Sequence, residues 1–371
     1  MLRKGTFILM KTKIQDMTFG SPGRLIILFA IPLMLGNICQ QLYTMVDTMV
    51  VGQVAGVEAL AALGAVDFLM WVVTGISTGL TQGFSIQLSQ YYGAKDFENL
   101  RKSLAHSYRL TAFIAAGVLI LSQSFASLVL TGLHTPSNII GMSLLYLRII
   151  FCGIPATAAY NMFASALRAM GNSKTPLTAM IIASVLNVSL DILFVAGFGW
   201  GVAGAAIATV IAQSFSAVYC FLILRRIDIV HLTRADFMPA SGMNARLMKL
   251  GIPVVFQNII IGVGGLVVQY VINGYGFLFV AGFTATNKLY GLLEMAAISY
   301  GYAIVTYVGQ NLGAEKIDRI RKGVRSSMLL SLLTSLIISA AMFLFGKNIL
   351  SLFISGEPQQ TQQVLAIAFK Y

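Results

Sequence analysis

Apolar residues in this chain come in runs long enough to cross a bilayer. About 20 residues span the roughly 30 Å of hydrocarbon at 1.5 Å per residue. On that measure helical spans are expected at residues 24–51, 58–92, 106–130, 139–167, 177–195, 202–224, 244–271, 277–308 and 324–345. A tenth run starts near residue 360 and meets the last residue, Tyr371, too soon to cross. Charged connections alternate with short uncharged turns, which is how a chain looks when it passes back and forth through lipid. The pattern predicts an all-α polytopic membrane protein. Residues 1–23 form a polar, basic leader, expected to be poorly ordered, and Pro32 inside the first span invites a kink.

The polar connection at residues 226–243 divides the spans into an N-terminal lobe of six helices (24–225) and a second lobe (244–371). An internal repeat crosses that boundary. I-P-L-M-L-G-N-I (31–38) returns as I-P-V-V-F-Q-N-I (252–259), and Q-Y-Y-G-A-K-D-F-E-N-L-R-K (90–102) as Q-N-L-G-A-E-K-I-D-R-I-R-K (310–322). The offset holds at about 220 residues throughout. Six spans separate the copies, an even number, so both lobes enter the membrane with the same orientation, as in transporters built from parallel repeats. If the second lobe matched the first, three more helices would follow. The chain is therefore expected to be truncated within its tenth span.

Composition removes most alternatives. The chain is 57% hydrophobic and 10% charged, with a mean hydropathy of +0.81, which excludes an ordinary soluble domain. Its net charge of +12 could suggest nucleic acid, but most Lys and Arg lie in alternate connections. That is the positive-inside pattern, and it puts the leader on the cytoplasmic face of the cell membrane. Three cysteines (Cys39, Cys152, Cys220) and three histidines lack the spacing of a zinc site or a disulfide framework. No nucleophile-and-base spacing appears, so neither an enzyme nor a cofactor is expected.

Charges inside the apolar runs carry the chemistry. A carboxylate in hydrocarbon costs roughly 2.5 to 3.5 kcal/mol on insertion scales, so it normally faces a bundle interior or a water-filled cavity. N-V-S-L-D (187–191) places Asn187 and Asp191 four residues apart on one helix face, about 6 Å apart along its axis. The F-G-W-G turn (198–201) then brings Thr209 back to roughly the depth of Asp191. An acid, an amide oxygen and a hydroxyl suit a proton or a small hard cation such as sodium; the alternative is that Asn187 and Thr209 only join neighbouring helices. Counting from the outer turns places Asp47 and Asp67 at a depth similar to that of Asp191. In the repeat Asp47 aligns with Val268, so the acid is peculiar to the first lobe. Three further residues are open to two readings: Tyr160 and Asn161 as cavity lining or helix contacts, and Glu294 as a substrate contact or a solvated side chain.

I-P-L-M-L-G-N-I-C-Q-Q-L-Y-T-M-V-D-T-M-V-V-G (31–52), A-L-R-A-M-G-N-S-K-T-P (166–176), N-V-S-L-D (187–191) and G-V-A-G-A-A-I-A-T-V-I-A-Q (201–213) resemble the multidrug and toxic compound extrusion (MATE) family. The resemblance covers nearly the whole chain after Met17. It implies twelve helices in two six-helix lobes around a central cavity, and export of cationic, often amphipathic compounds driven by sodium or proton entry. It also implies a cation or proton site at Asp47, Asn187, Asp191 and Thr209, with sodium as the possible metal; Asp67, Tyr160, Asn161 and Glu294 are candidates for the substrate cavity by their placement in the spans alone. The expected partners are small-molecule cations and the lipid bilayer, with no nucleic acid, and the expected state is a monomer. The rivals are a flippase for lipid-linked saccharides, which would need more Arg and Lys in its cavity, and a truncated, non-transporting membrane protein.

Overall fold

The structure is a computed structural model; it describes residues 14–353 apart from 133, 134, 136 and 274–276. Its helices are α1 (Pro22–Val54), α2 (Val57–Gly64), α3 (Asp67–Gly93), α4 (Phe97–Gly132), α5 (Ile140–Cys152) and α6 (Ile154–Ala169). They continue with α7 (Lys174–Asp191), α8 (Gly201–Leu224), α9 (Met243–Asn273), α10 (Phe277–Gly313) and α11 (Ile317–Phe353). Among the described residues there is no strand, and seven helices are long and apolar enough to cross a membrane, or eight counting α5 and α6 as one bent span. The expected tenth span lies outside the described residues.

Large apolar side chains point outward along these helices, among them Phe113, Ile120 and Leu128 on α4 and Leu332, Ile337 and Phe343 on α11. Lipid solvates such surfaces, so the interior is left to small and polar residues that let backbones approach closely. Two expected spans are interrupted. The second breaks at residues 65–66 into α2 and α3. The fourth bends by 46° between α5 and α6. There Gly153 faces Val210 of α8 so closely that a Cβ would come within 2.7 Å of its Cγ2, and Pro155 in the first turn of α6 supplies no N–H. Pro32 is accommodated within a continuous α1.

The repeat is visible in the backbone. Lys95 and Glu315, 220 residues apart, both adopt left-handed φ (56° and 57°) where α3 and α10 end. The turn is closed identically: Asp96 N–H donates to Tyr91 C=O (3.0 Å) and Lys316 N–H to Asn311 C=O (2.8 Å). This six-residue closure is how helices commonly terminate around a left-handed residue. The two ends also pack on each other reciprocally. Gly93 lies on the carbonyl of Gln310 and Gly313 on the carbonyl of Gln90, with no room for a Cβ at either.

The halves meet along α3 and α9, where Gly262 packs on Trp71 near the start of α3, and at the end that carries the basic loops. Gly83 packs on Gly251 and Gly79 on Val255, while Asn258 Nδ2 donates to Gly75 C=O (3.1 Å). Asn37 Nδ2 of α1 donates to Ser299 Oγ of α10 (3.1 Å). Ile26, Phe29, Ala30 and Leu33 form one apolar cluster with Tyr300, Ala303 and Tyr307. These contacts use only the first half of α1; its second half packs on α7 and α8 instead. Residues 14–21 correct the expectation of a loose leader: Met17 is fully buried in that same cluster and Thr18 nearly so. Their order comes from donors on α10 and α11, far away in sequence.

Candidate cation site

Three helices build the site. α7 carries Asn187 and Asp191, both fully buried. α8 runs back beside it and carries Thr209 and, one turn further along, Gln213; Gly204 lets α8 lie against Phe194, where a Cβ would come within 3.0 Å. α1 carries Tyr43 and Asp47, also one turn apart and buried. Two hydrogen bonds fix the register: Gln213 Nε2 donates to Tyr43 Oη (3.4 Å) and Asn187 Nδ2 to Thr209 Oγ1 (3.4 Å). α1 and α8 run in opposite directions, so stepping one turn from the Tyr43–Gln213 level reaches Asp47 on one helix and Thr209 on the other. Asn187 joins that level through its bond to Thr209. Asp191 follows one turn beyond, about 6 Å further along the axis.

The polar atoms of this ladder are unfinished. Asp47 Oδ1, Asn187 Oδ1, both carboxylate oxygens of Asp191 and Gln213 Oε1 are buried and receive no hydrogen bond from the protein. Most buried polar atoms are paired, and leaving one unpaired costs about 1 to 3 kcal/mol, more for a charged group. Asp47 and Asp191 lie within electrostatic reach of each other, and Tyr146 of α5 lies within reach of both. Two neighbouring acids in an apolar bundle without donors form a surplus of negative charge and oxygen lone pairs. A hard cation or a proton supplies what is missing.

The helix also changes its winding where the acid sits. Directly after Asp191, α7 widens into a π-helical turn, Ile192–Gly197, a feature that recurs at functional positions. Phe194 stacks on both Phe198 and Trp200, and Phe198 lies tilted against Trp200, with ring centroids 5.1 to 6.0 Å apart.

Other expected residues are placed differently. Asp67 is exposed in the first turn of α3, directly after the break at residues 65–66; its charge still reaches Asp47. A helix N-terminus is itself a favourable place for a carboxylate. Asn161 donates from Nδ2 to Thr78 Oγ1 of α3 (3.2 Å), a helix-joining contact. Tyr160 lies in the apolar cluster that also holds Tyr43 and Cys220. Glu294 is exposed on α10, in the other half. Tyr43, Tyr146 and Gln213 do not stand out in the sequence, because tyrosine and glutamine in an apolar run carry no alarm of charge. The spacing of four between Thr209 and Gln213, and between Tyr43 and Asp47, was the available signal.

Comparison with known proteins decides the lineage. The MatE family profile matches residues 32–193 and 253–371. The probable multidrug resistance protein YpnP of Bacillus subtilis (strain 168) is 31% identical over 97% of this chain and 81% of its own length. The chain belongs to the MATE family. A second B. subtilis relative, the probable multidrug resistance protein YoeA, is 28% identical over 89% of this chain and 73% of its own length. The fold agrees with solved MATE structures. The crystal structure of MATE in complex with MaL6 superposes with a TM-score of 0.90 at 23% identity, covering 97% of this chain and 80% of that one. An outward-facing multidrug resistance MATE transporter gives 0.88 at 22% identity, with 97% and 81% covered. The protein is thus a multi-pass membrane transporter of the MATE type, and the matched segments run on both sides of the linker that separates the repeats.

Proposed function

We propose that this MATE chain is a secondary antiporter that exports cationic, amphipathic compounds in exchange for sodium ions or protons. It works in the cytoplasmic membrane, with its basic end in the cytoplasm. The observation that carries the reading is the set of unpaired buried oxygens on Asp47, Asn187 and Asp191. Protein donors do not complete this cluster, and a cation or proton from outside the protein suits its paired carboxylates.

Exchange follows from charge. Two buried carboxylates tolerate one cationic guest well and two poorly, because the second gains less attraction while both lose hydration. An ion that enters therefore weakens the hold on a positively charged compound nearby, and the reverse holds equally. Coupling this competition to rocking of the two halves about their glycine-lined contact needs no covalent step. Asp47 and Asp191 hold the ion, while Asn187 and Thr209 supply neutral oxygens and fix the register of α7 on α8. Asp67 lies at the edge, where it can meet a positive compound first.

The test is efflux of a fluorescent cation from cells expressing the chain, under imposed sodium or proton gradients. Asp47→Asn and Asp191→Asn should each abolish gradient-driven efflux. Efflux at the parental rate in both variants under either gradient would sink the site. A transported anionic saccharide lipid in place of the cation would favour the flippase reading.

A further inference from the structure

Residues 14–21 tie the two halves together at the basic end, and the ties converge on one side chain. Gln310 of α10 is fully buried. Its Oε1 accepts the Met17 N–H (2.9 Å) and its Nε2 donates to the carbonyl of Ala169 at the end of α6 (2.8 Å). One amide from the second half thereby holds both the leading segment and the first half. Around it, Asn311 Nδ2 donates to Met17 C=O (3.0 Å), Lys316 Nζ to Thr18 C=O (3.0 Å) and Arg319 Nη1 to Gly20 C=O (2.9 Å). At the other edge, Gln15 N–H donates to Gly171 C=O of the first half (3.2 Å). Donors that grip backbone carbonyls, with Met17 buried as an apolar anchor, make a fastening rather than a chance contact.

The repeat supplies an independent counterpart. A shift of about 220 carries residues 14–21 onto the end of the linker, and that stretch is fastened to α4, the equivalent of α11. Arg109 Nη1 donates to Phe237 C=O (2.8 Å), and His106 Nε2 to Met238 C=O (3.1 Å). Arg101 lies 3.7 Å from Asp236. Burial works against the charge of Asp236, but the Thr233 amide and hydroxyl, then Arg101, hold its carboxyl below the usual range. The segment leading into each half is thus fastened to the other half, and one of the two, the linker, is covalently obliged to lie there.

We propose that Gln310 is a positioning residue of the transport cycle, bolting residues 14–20 across the contact between the halves so that this strap must release whenever the basic end opens. The strap sets how often that end opens. It rests on transport by rocking halves, but its test reads the opening without substrate, so failure of efflux and failure of the strap show separately.

The reporter is Ser299→Cys, buried where the halves meet, in full-length protein lacking Cys39 and Cys152. Buried Cys220, in the core of the first half, stays as an internal control. Gln310→Leu should raise the maleimide labelling rate at position 299 by roughly tenfold, the scale of two neutral hydrogen bonds, with Cys220 unchanged. Gln310→Glu, which keeps the acceptor and loses the donor, should fall between. General loosening would raise both cysteines together and would overturn the proposal, as would an unchanged rate at position 299. Should Gln310→Leu fail to accumulate, Arg319→Gln frees the same segment from the surface and must raise the rate at position 299 severalfold; no rise there is equally fatal.

Discussion

α1 and α9 are copies of one helix, and they part company halfway along. Their first halves share I-P and the asparagine pair Asn37 and Asn258, each of which donates across to the other half of the molecule. Beyond that point Tyr43 and Asp47 of α1 are buried against α7 and α8, whereas the matching Gly264 and Val268 of α9 are exposed. The lesson is a division of labour within one helix. Where both copies meet the partner half, the sequence repeats because the contact repeats. Beyond that point the copies differ, and a buried acid appears on α1 where α9 carries Val268, so the shared repeat does not itself require an acid there.

The largest effect should come from making α1 resemble α9. Asp47→Val installs the second copy's residue, removes one of the two acids and leaves Asp191 alone. Gradient-driven efflux should fall by roughly two orders of magnitude, the upper range of coupling between linked sites. Thermal stability should hold or rise, because an unpaired buried carboxylate has been replaced by a side chain that suits an apolar bundle. Efflux and melting temperature measured on the same preparation check both halves of the statement. A variant that is stable and fully active would remove Asp47 from the site; one that is unstable would make it structural.

A smaller effect should come from the reciprocal glycines. Gly93→Ala and Gly313→Ala each drive a methyl into the other helix's carbonyl, so the backbones must separate. Overpacking of this kind costs about 1 to 3 kcal/mol, and the pseudo-two-fold arrangement requires the two losses to be similar. Thermal unfolding in detergent reads them side by side. A tolerated alanine at one position and not the other would mean that the two helix ends are not equivalent despite their shared backbone.

How much of this could be read from residues alone follows the same division. Long apolar runs announce their own helices, because lipid demands that every backbone polar group be satisfied within the span. Asp191 and Asp47 were conspicuous because a charge in such a run needs a reason. The offset of 220 was legible because both copies make the same close contact, and Gly93 and Gly313 cannot change without breaking it. Other features depend on partners distant in the chain. Met17 is held by Gln310 and Asn311, and nothing in a short polar leader reveals those donors. The break before Asp67 and the bend at Gly153 are packing outcomes too; the bend depends on Val210 lying against that glycine. Gln213 was hidden for a different reason, since a neutral amide in a helix is usually a helix contact and only its empty acceptor shows otherwise.

The smallest effect should belong to the asparagine pair, and it tests the shared half of the comparison. Asn37→Ala removes the bond to Ser299 and Asn258→Ala the bond to the Gly75 carbonyl, each worth about 0.5 to 1.5 kcal/mol. Neither residue belongs to the ladder of unpaired oxygens, so sodium or proton dependence should keep its form in both variants. What should change is the ease with which the basic end opens, by a few-fold for each and in the same direction. The two bonds lie on opposite sides of one rocking contact and share no partner, so their effects should add in the double variant to within about 0.5 kcal/mol. Labelling of Ala303→Cys, which is buried at that contact and leaves Ser299 in place, measures all three proteins. Opposite directions for the two single variants would show that the copies of this helix do different work even where their sequences agree.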